Sequence, residues 1–208
     1  MSERVLVIGA HVDDIEFMCG GTIVKLLDHN CEIFYTTFSF AIKSLPPGYP
    51  QGTTKKEVSE AASVLGIDVA NIFTFDYNVR TFSNYRQDIL DKLIDLKKEI
   101  RPQVVISHNA DDTHQDHKVV AEETFRAFKK CSTIWGYESC YNNRVFNNDL
   151  YVKLKKEHID KKIEAISKYK SQIVKHDNRE AIIGLAKFRG GQIRQDYAEC
   201  FQVLRYIL

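Results

Sequence analysis

The chain has 208 residues, 44% hydrophobic and 27% charged, with a formal net charge of +1. This is an ordinary globular composition, and the near-neutral charge gives no electrostatic footprint for a nucleic-acid partner. The five cysteines are scattered and include no Cys-x-x-Cys pair, which argues against a disulfide framework and a thiolate zinc site and fits a cytoplasmic setting. The length suits a single domain over residues 1–208. Met1-Ser2-Glu3-Arg4 leads at once into a strand, so no signal peptide is expected. No apolar stretch approaches the ~20 residues of an integral membrane segment.

In chain order, Val5-Leu6-Val7-Ile8 reads as a buried strand. Cys19-Gly20-Gly21-Thr22 opens a helix that runs to His29, and Cys31–Phe38 is the second strand of a right-handed βαβ unit. Ser39–Thr54, with three prolines, reads as a loop at the His11 end of the sheet. A helix over Thr54–Leu65 stops at Gly66, and Asn71–Phe75 is a third strand. Tyr85–Ile100 is an amphipathic helix ended by Pro102, and Val104–Ser107 is a fourth buried strand. A helix over Lys118–Lys130, a strand over Ser132–Glu138 and a short strand within Val145–Tyr151 follow. Lys153–Ile173 reads as a helix whose lysines, Lys153, Lys155, Lys156, Lys161 and Lys162, form a solvated face. Gly184–Phe188 continues a helix that breaks at Gly190-Gly191, and a last helix is expected over Ile193–Ile207. The sum is an α/β fold, a Rossmann-like, mostly parallel sheet with helices on both faces.

Two polar stretches stand out. Gly9-Ala10-His11-Val12-Asp13-Asp14-Ile15-Glu16 ends the first strand, and His108-Asn109-Ala110-Asp111-Asp112-Thr113-His114-Gln115-Asp116-His117 ends the fourth. Alone, the first also fits a surface turn with an aspartate helix cap. Together they hold four of the seven histidines, and in a parallel sheet both lie at one edge. Ionisable groups at the ends of buried strands are costly without compensation, and a cation is the simplest compensation. Nitrogen and oxygen donors without sulfur suit a catalytic zinc, with iron(II), cobalt or manganese as alternatives. Such an ion acidifies water and polarises a carbonyl; a nearby carboxylate can take the proton, and a histidine can serve the leaving group or the oxyanion. That chemistry is hydrolysis of an amide or ester. Gly9-Ala10-His11 offers no Gly-x-Gly-x-x-Gly, which argues against nucleotide binding.

At these residues the sequence resembles the LmbE-like, or PIG-L, superfamily of metal-dependent de-N-acetylases. The family's Ala-His-Pro-Asp-Asp-x-Glu is matched by Ala10–Glu16, with Val12 in place of proline, and its His-x-Asp-His by His114–His117. Gly20-Gly21-Thr22, Tyr169-Lys170-Ser171-Gln172 and Tyr197-Ala198-Glu199-x-Phe201 extend the likeness along nearly the whole chain. The resemblance implies that His11, Asp14 and His117 bind zinc and that Asp13 is the general base. It implies that His114 stabilises the tetrahedral intermediate or acts as acid, oriented by Asp116. Where many relatives carry a sugar-binding arginine this chain has Thr54, and Arg80 is the candidate to take its part. The implied substrate is a small N-acetylated sugar, free or as a glycoside, nucleotide sugar or thiol-linked conjugate, and the implied assembly is a homotrimer or homohexamer. Two other readings remain at this point: an amidase acting on a sugar-thiol conjugate through the same metal, and a binding protein that keeps the fold without turnover.

Overall fold

The computed structural model describes residues 2–174 and 177–208. Its strands are β1 (Arg4–His11), β2 (Glu32–Ser39), β3 (Ile72–Thr74), β4 (Val104–Ser107), β5 (Thr133–Tyr137), β6 (Leu150–Leu154) and β7 (Tyr197–Arg205). Its helices are α1 (Asp14–Asp28), α2 (Thr53–Leu65), α3 (Arg86–Ile100), α4 (Gln115–Phe128), α5 (Lys156–Ile166), α6 (Lys170–Ile173) and α7 (Arg179–Gln192). The strands form one sheet in the order β3-β2-β1-β4-β5-β7-β6. The first five strands run parallel, and β7 is antiparallel to β5 and β6.

A parallel sheet is covered on both faces, which is why β1 is apolar without a break. Val5 and Val7 pack with Ile15 and Ile23 of α1, Val58 and Leu65 of α2 and Ala165 of α5. Leu6 and Ile8 pack on the opposite face with Ile89 and Leu93 of α3 and Val120 and Phe128 of α4. From β1 the chain winds outward through β2 to β3, then returns to place β4 on the other side of β1. The C-terminal ends of β1 and β4 therefore flank the point where strand order reverses, the usual ligand crevice of an open α/β sheet.

The structure revises several sequence expectations. The first helix begins at Asp14, ahead of Cys19-Gly20-Gly21-Thr22, and is broken inside at Cys19 (φ −137°). The break frees backbone N–H groups, and buried Glu199 accepts from those of Gly21 (3.1 Å) and Thr22 (2.7 Å). Lys162 is not on a solvated face: it is 2% exposed and its Nζ lies 2.5 Å from Glu199 Oε1. The expected helix over Lys153–Ile173 is the end of β6 followed by α5 and α6.

The expected helix over Ile193–Ile207 is a strand, β7. Ala198, Glu199, Cys200 and Phe201 are buried in succession because β7 lies between two neighbours with helices packed on it. Such a run lacks the period-two signature of a half-exposed strand. Gly190-Gly191 does not end α7 but sits in its last turn. A Cβ on Gly190 would lie 2.6 Å from the Gln195 carbonyl and 2.7 Å from the Tyr197 nitrogen, so the chain doubles back into β7 over a bare glycine.

Candidate active site

The first polar stretch is a tight strand-to-helix turn. His11 is the last residue of β1, Asp13 takes a left-handed conformation (φ 79°) as N-cap, and Asp14 opens α1. Asp14 Oδ2 accepts from the backbone N–H of His11 (2.7 Å), which fixes its carboxylate under the turn. Val12 donates its backbone N–H to the Ser39 carbonyl (3.1 Å), a bond that proline could not make. The second stretch leads into α4 one residue after His114, its N-cap, so Asp116 and His117 lie on the helix's first turn.

Hydrogen bonds decide which ring nitrogens face inward. His117 Nδ1 lies 2.7 Å from Asp112 Oδ2, and His11 Nε2 lies 3.0 Å from Asp116 Oδ2. Each carboxylate takes a ring N–H and, in the neutral ring, leaves the other nitrogen bare. The bare atoms, His117 Nε2 and His11 Nδ1, face each other at 3.2 Å. Asp14 Oδ2 lies 3.6 Å from His11 Nδ1, and Asp14 Oδ1 lies 3.5 Å from His117 Nε2. Two lone pairs and a carboxylate this close repel unless a proton or a cation sits among them. Two donors on one tetrahedral zinc, each at about 2.0–2.1 Å, lie about 3.3–3.4 Å apart, so the three groups fit such an ion.

Without an ion, a proton on His11 takes that place. Burial alone would lower the pKa of His11, but its hydrogen bonds to Asp116 and Asp14 and their charges outweigh it, and the value rises to about 9. Burial would raise Asp14, but the facing His117 and His108 rings hold it well below the usual carboxylate range. Burial, followed by the neighbouring His108, lowers His117.

Two further histidines come close: His114 could join His11 and His117 around an ion, and His108 could join Asp14 and His117. Fully buried His108 accepts the Ala10 N–H on Nε2 (2.9 Å) and stacks on His117 with ring centroids 3.9 Å apart. His114 accepts the Asp116 N–H on Nδ1 (3.2 Å), so its neutral ring carries the proton on Nε2 and offers a donor. Burial, then the nearby His117 and His11 rings, lowers His114 to about 4, which keeps that ring neutral near pH 7.

Sequence reasoning paired Asp116 with His114; the structure places its carboxylate elsewhere. Asp116 takes His11 Nε2 and the backbone N–H groups of Arg80 (2.5 Å) and Phe82 (3.2 Å). Those three donors compensate a side chain with no exposed surface. In the sequence Asp112 is one carboxylate of the second polar stretch without a role of its own; its role as the partner of His117 comes from folding across the α4 cap. Its one sequence signal is a carboxylate five residues before a histidine on the first helical turn.

Two cavities over these groups, the two arms of the site, share Asp13 and Gln172 in their walls. One, about 170 Å³, is lined by His11, His114, Ser44 and Arg80. The other, about 230 Å³, is lined by Asp14, His117, Phe17, Met18 and Tyr141. Arg80 thus borders the site, held in a left-handed turn (φ 67°) by Asp116 and by Gln115 Nε2, which donates to its carbonyl (2.6 Å). Thr54 is fully buried and lines neither arm.

Residues 6–128, more than half of the chain, match the family described as GlcNAc-PI de-N-acetylase, PIG-L. The chain belongs to the PIG-L family. It is thereby a member of a family of hydrolytic, metal-dependent N-deacetylases, and the two polar stretches flank its candidate metal groups. A curated relative, "Probable N-acetyl-alpha-D-glucosaminyl L-malate deacetylase 2" of Bacillus anthracis, is 25% identical over 185 residues, 81% of each chain. The N,N'-diacetylchitobiose deacetylase of Pyrococcus horikoshii superposes with a TM-score of 0.82 at 22% identity, over 98% of this chain and 84% of that one. The 4-carboxy-2-hydroxymuconate hydratase of Pseudomonas putida superposes with a TM-score of 0.80 at 20% identity, over 99% of this chain and 98% of the other. The two solved structures share this fold. Among the described residues no helix is long and apolar enough to cross a membrane.

Proposed function

We propose that His11, Asp14 and His117 hold a divalent cation, zinc by its donor set, and that the protein removes the N-acetyl group of an amino sugar or its conjugate. The supporting observation is the pair of inward-facing imidazole nitrogens 3.2 Å apart beside the Asp14 carboxylate, each ring fixed from behind by its own aspartate. When bound, the ion polarises the amide carbonyl and lowers the pKa of water toward neutrality.

The chain's own groups do the rest. Asp13, at the junction of both arms, takes a proton from the attacking water as its oxygen bonds to the acyl carbon. His114, neutral with its N–H on Nε2, donates a hydrogen bond to the developing oxyanion. As the C–N bond breaks, its electron pair stays on nitrogen and Asp13 returns the proton there, giving a carboxylic acid and the free amine. Arg80, with five N–H donors at the rim, binds the sugar hydroxyls in its arm of the cavity. This reading makes the bland alternative, a binding protein without turnover, the less economical one, because base, oxyanion donor and ligand set converge.

The test is acetate release from a panel of N-acetylated sugars, glycosides and nucleotide sugars by zinc-loaded protein and by Asp13→Asn. Wild type is expected to release acetate from at least one compound, with Asp13→Asn slowed by about 10²–10⁴-fold and its bound metal unchanged. Wild-type protein that binds one ion and releases no acetate from any of them would sink the proposal.

A further inference from the structure

The two arms of the cavity differ in chemistry. The arm with Arg80, Ser44 and His114 offers donors suited to hydroxyl groups. The other sets the side chains of Phe17, Met18 and Tyr141 beside Asp14, His117, Asn142 and Asn178. Phe17 and Met18 follow Asp13 and Asp14 by one helical turn, so the face of α1 that carries the two carboxylates carries these apolar side chains too. Tyr141 comes from the opposite side, on the β5–β6 connection, which is pinned to the second polar stretch by Thr113 N–H donating to the Asn142 carbonyl (2.9 Å).

An amide has two ends on opposite sides of the scissile bond. With the amino sugar against Arg80, the substituent on the carbonyl carbon lies in the Phe17–Met18–Tyr141 arm. An acetyl group places one methyl there. The arm measures about 230 Å³, whereas a water-sized group, comparable to a methyl, needs about 10–15 Å³ of such space.

We propose that this arm is an acyl pocket, and that the substrate class extends beyond acetyl to N-acyl amino sugars with short unbranched chains such as propionyl, butyryl and hexanoyl. The inference rests on the deacylase reading above and specifies its acyl side. The reaction is unchanged: water's oxygen bonds to the acyl carbon, the C–N bond breaks, the proton passes to nitrogen, and a short-chain carboxylic acid leaves with the free amine.

Two measurements test it. In the first, zinc-loaded wild type hydrolyses N-acetyl-, N-butyryl- and N-hexanoylglucosamine, read as free amine. Each buried methylene adds up to about fourfold, so kcat/KM is expected to hold or rise, by at most about fifteenfold, over the two methylenes from acetyl to butyryl. Tyr141→Ala, at a side chain 49% exposed, is expected to reduce the butyryl-to-acetyl ratio, and Met18→Trp, which fills the arm, to reduce it further.

The second readout is independent of turnover. The chain has two methionines, Met1 and Met18. Methyl-¹³C methionine labelling of zinc-loaded Asp13→Asn therefore reports on Met18 directly. N-butyrylglucosamine is expected to shift its methyl signal more than N-acetylglucosamine does. Hydrolysis of the acetyl compound with butyryl cleaved more than about tenfold slower, or an equal Met18 response to both, would overturn the acyl pocket and leave the deacetylase reading standing. Failure to hydrolyse any of the three would overturn both.

Discussion

Asp112 decides what His117 can do. By taking the Nδ1–H at 2.7 Å it turns the Nε2 lone pair toward His11 and Asp14. Burial pushes the Asp112 carboxyl up, but the hydrogen bond and charge of His117 prevail and hold it below its usual value. Asp112→Asn should therefore weaken metal affinity by about 10–100-fold, measured by competition with a chromophoric chelator, while the folded structure persists. Glu16 behaves differently. It is fully buried, accepts from the hydroxyls of Tyr169 (3.0 Å) and Tyr35 (3.3 Å), and burial raises its pKa to about 7. The folded value lies above the 4.5 of an unperturbed glutamate, so the folded chain holds this proton more tightly than the unfolded chain does. The associated stability is complete below pH 4.5 and lost as pH rises to about 7. Urea titrations of metal-free protein at pH 5 and pH 8 should show wild type losing up to about 3 kcal/mol more than Glu16→Gln over that interval. At this scale the meeting of the two polar stretches was legible in the sequence, because the strand ends of a parallel sheet share one edge. The partners that aim them were not. Asp116 serves His11 rather than its neighbour His114 because the strand end and the helix cap meet only in three dimensions.

Among the elements, α1 carries the site and depends on a distant strand. Its break at Cys19 is capped by Glu199 of β7, which also takes Lys162 of α5. The Lys162–Glu199 pair is buried, so Lys162→Met should cost about 3–5 kcal/mol in urea unfolding by leaving the buried carboxylate without its countercharge. The Gly20-Gly21-Thr22 signal was visible in the sequence, but the residue it serves could not be found while β7 read as a helix. A Cβ on Gly21 would meet Leu154 at 2.6 Å and Glu199 Oε1 at 3.1 Å, which explains the glycine by close approach. The Arg80 turn shows the opposite economy. A non-glycine residue at φ 67° stores strain of the order of 1 kcal/mol. Arg80→Gly should keep or slightly raise the urea midpoint while KM for the sugar rises, a split that a purely structural arginine would not give.

On the scale of the whole molecule, the strand order was readable in part. Four buried strands, each followed by a helix, imply a parallel sheet, and the switch between β1 and β4 follows from where the two polar stretches must meet. The antiparallel β7 was not readable, because a central strand covered on both faces loses its alternation. The fold alone does not set the reaction, since a hydratase shares it at a TM-score of 0.80. The centre joins residues 106 positions apart, His11 and His117, so a bound ion ties the first strand to the fourth helix. Metal at about 1,000 times its Kd should stabilise the fold by about 4 kcal/mol, and chelation should lower Tm accordingly. The most direct test of the central claim is a zinc titration of metal-free protein, read in parallel as bound ion and as acetate released from the best N-acetyl sugar. Both signals should saturate together at one equivalent in wild type, and both should be lost in His117→Ala. Acetate release that persists in chelator, or tight binding of the ion by His117→Ala, would contradict the account.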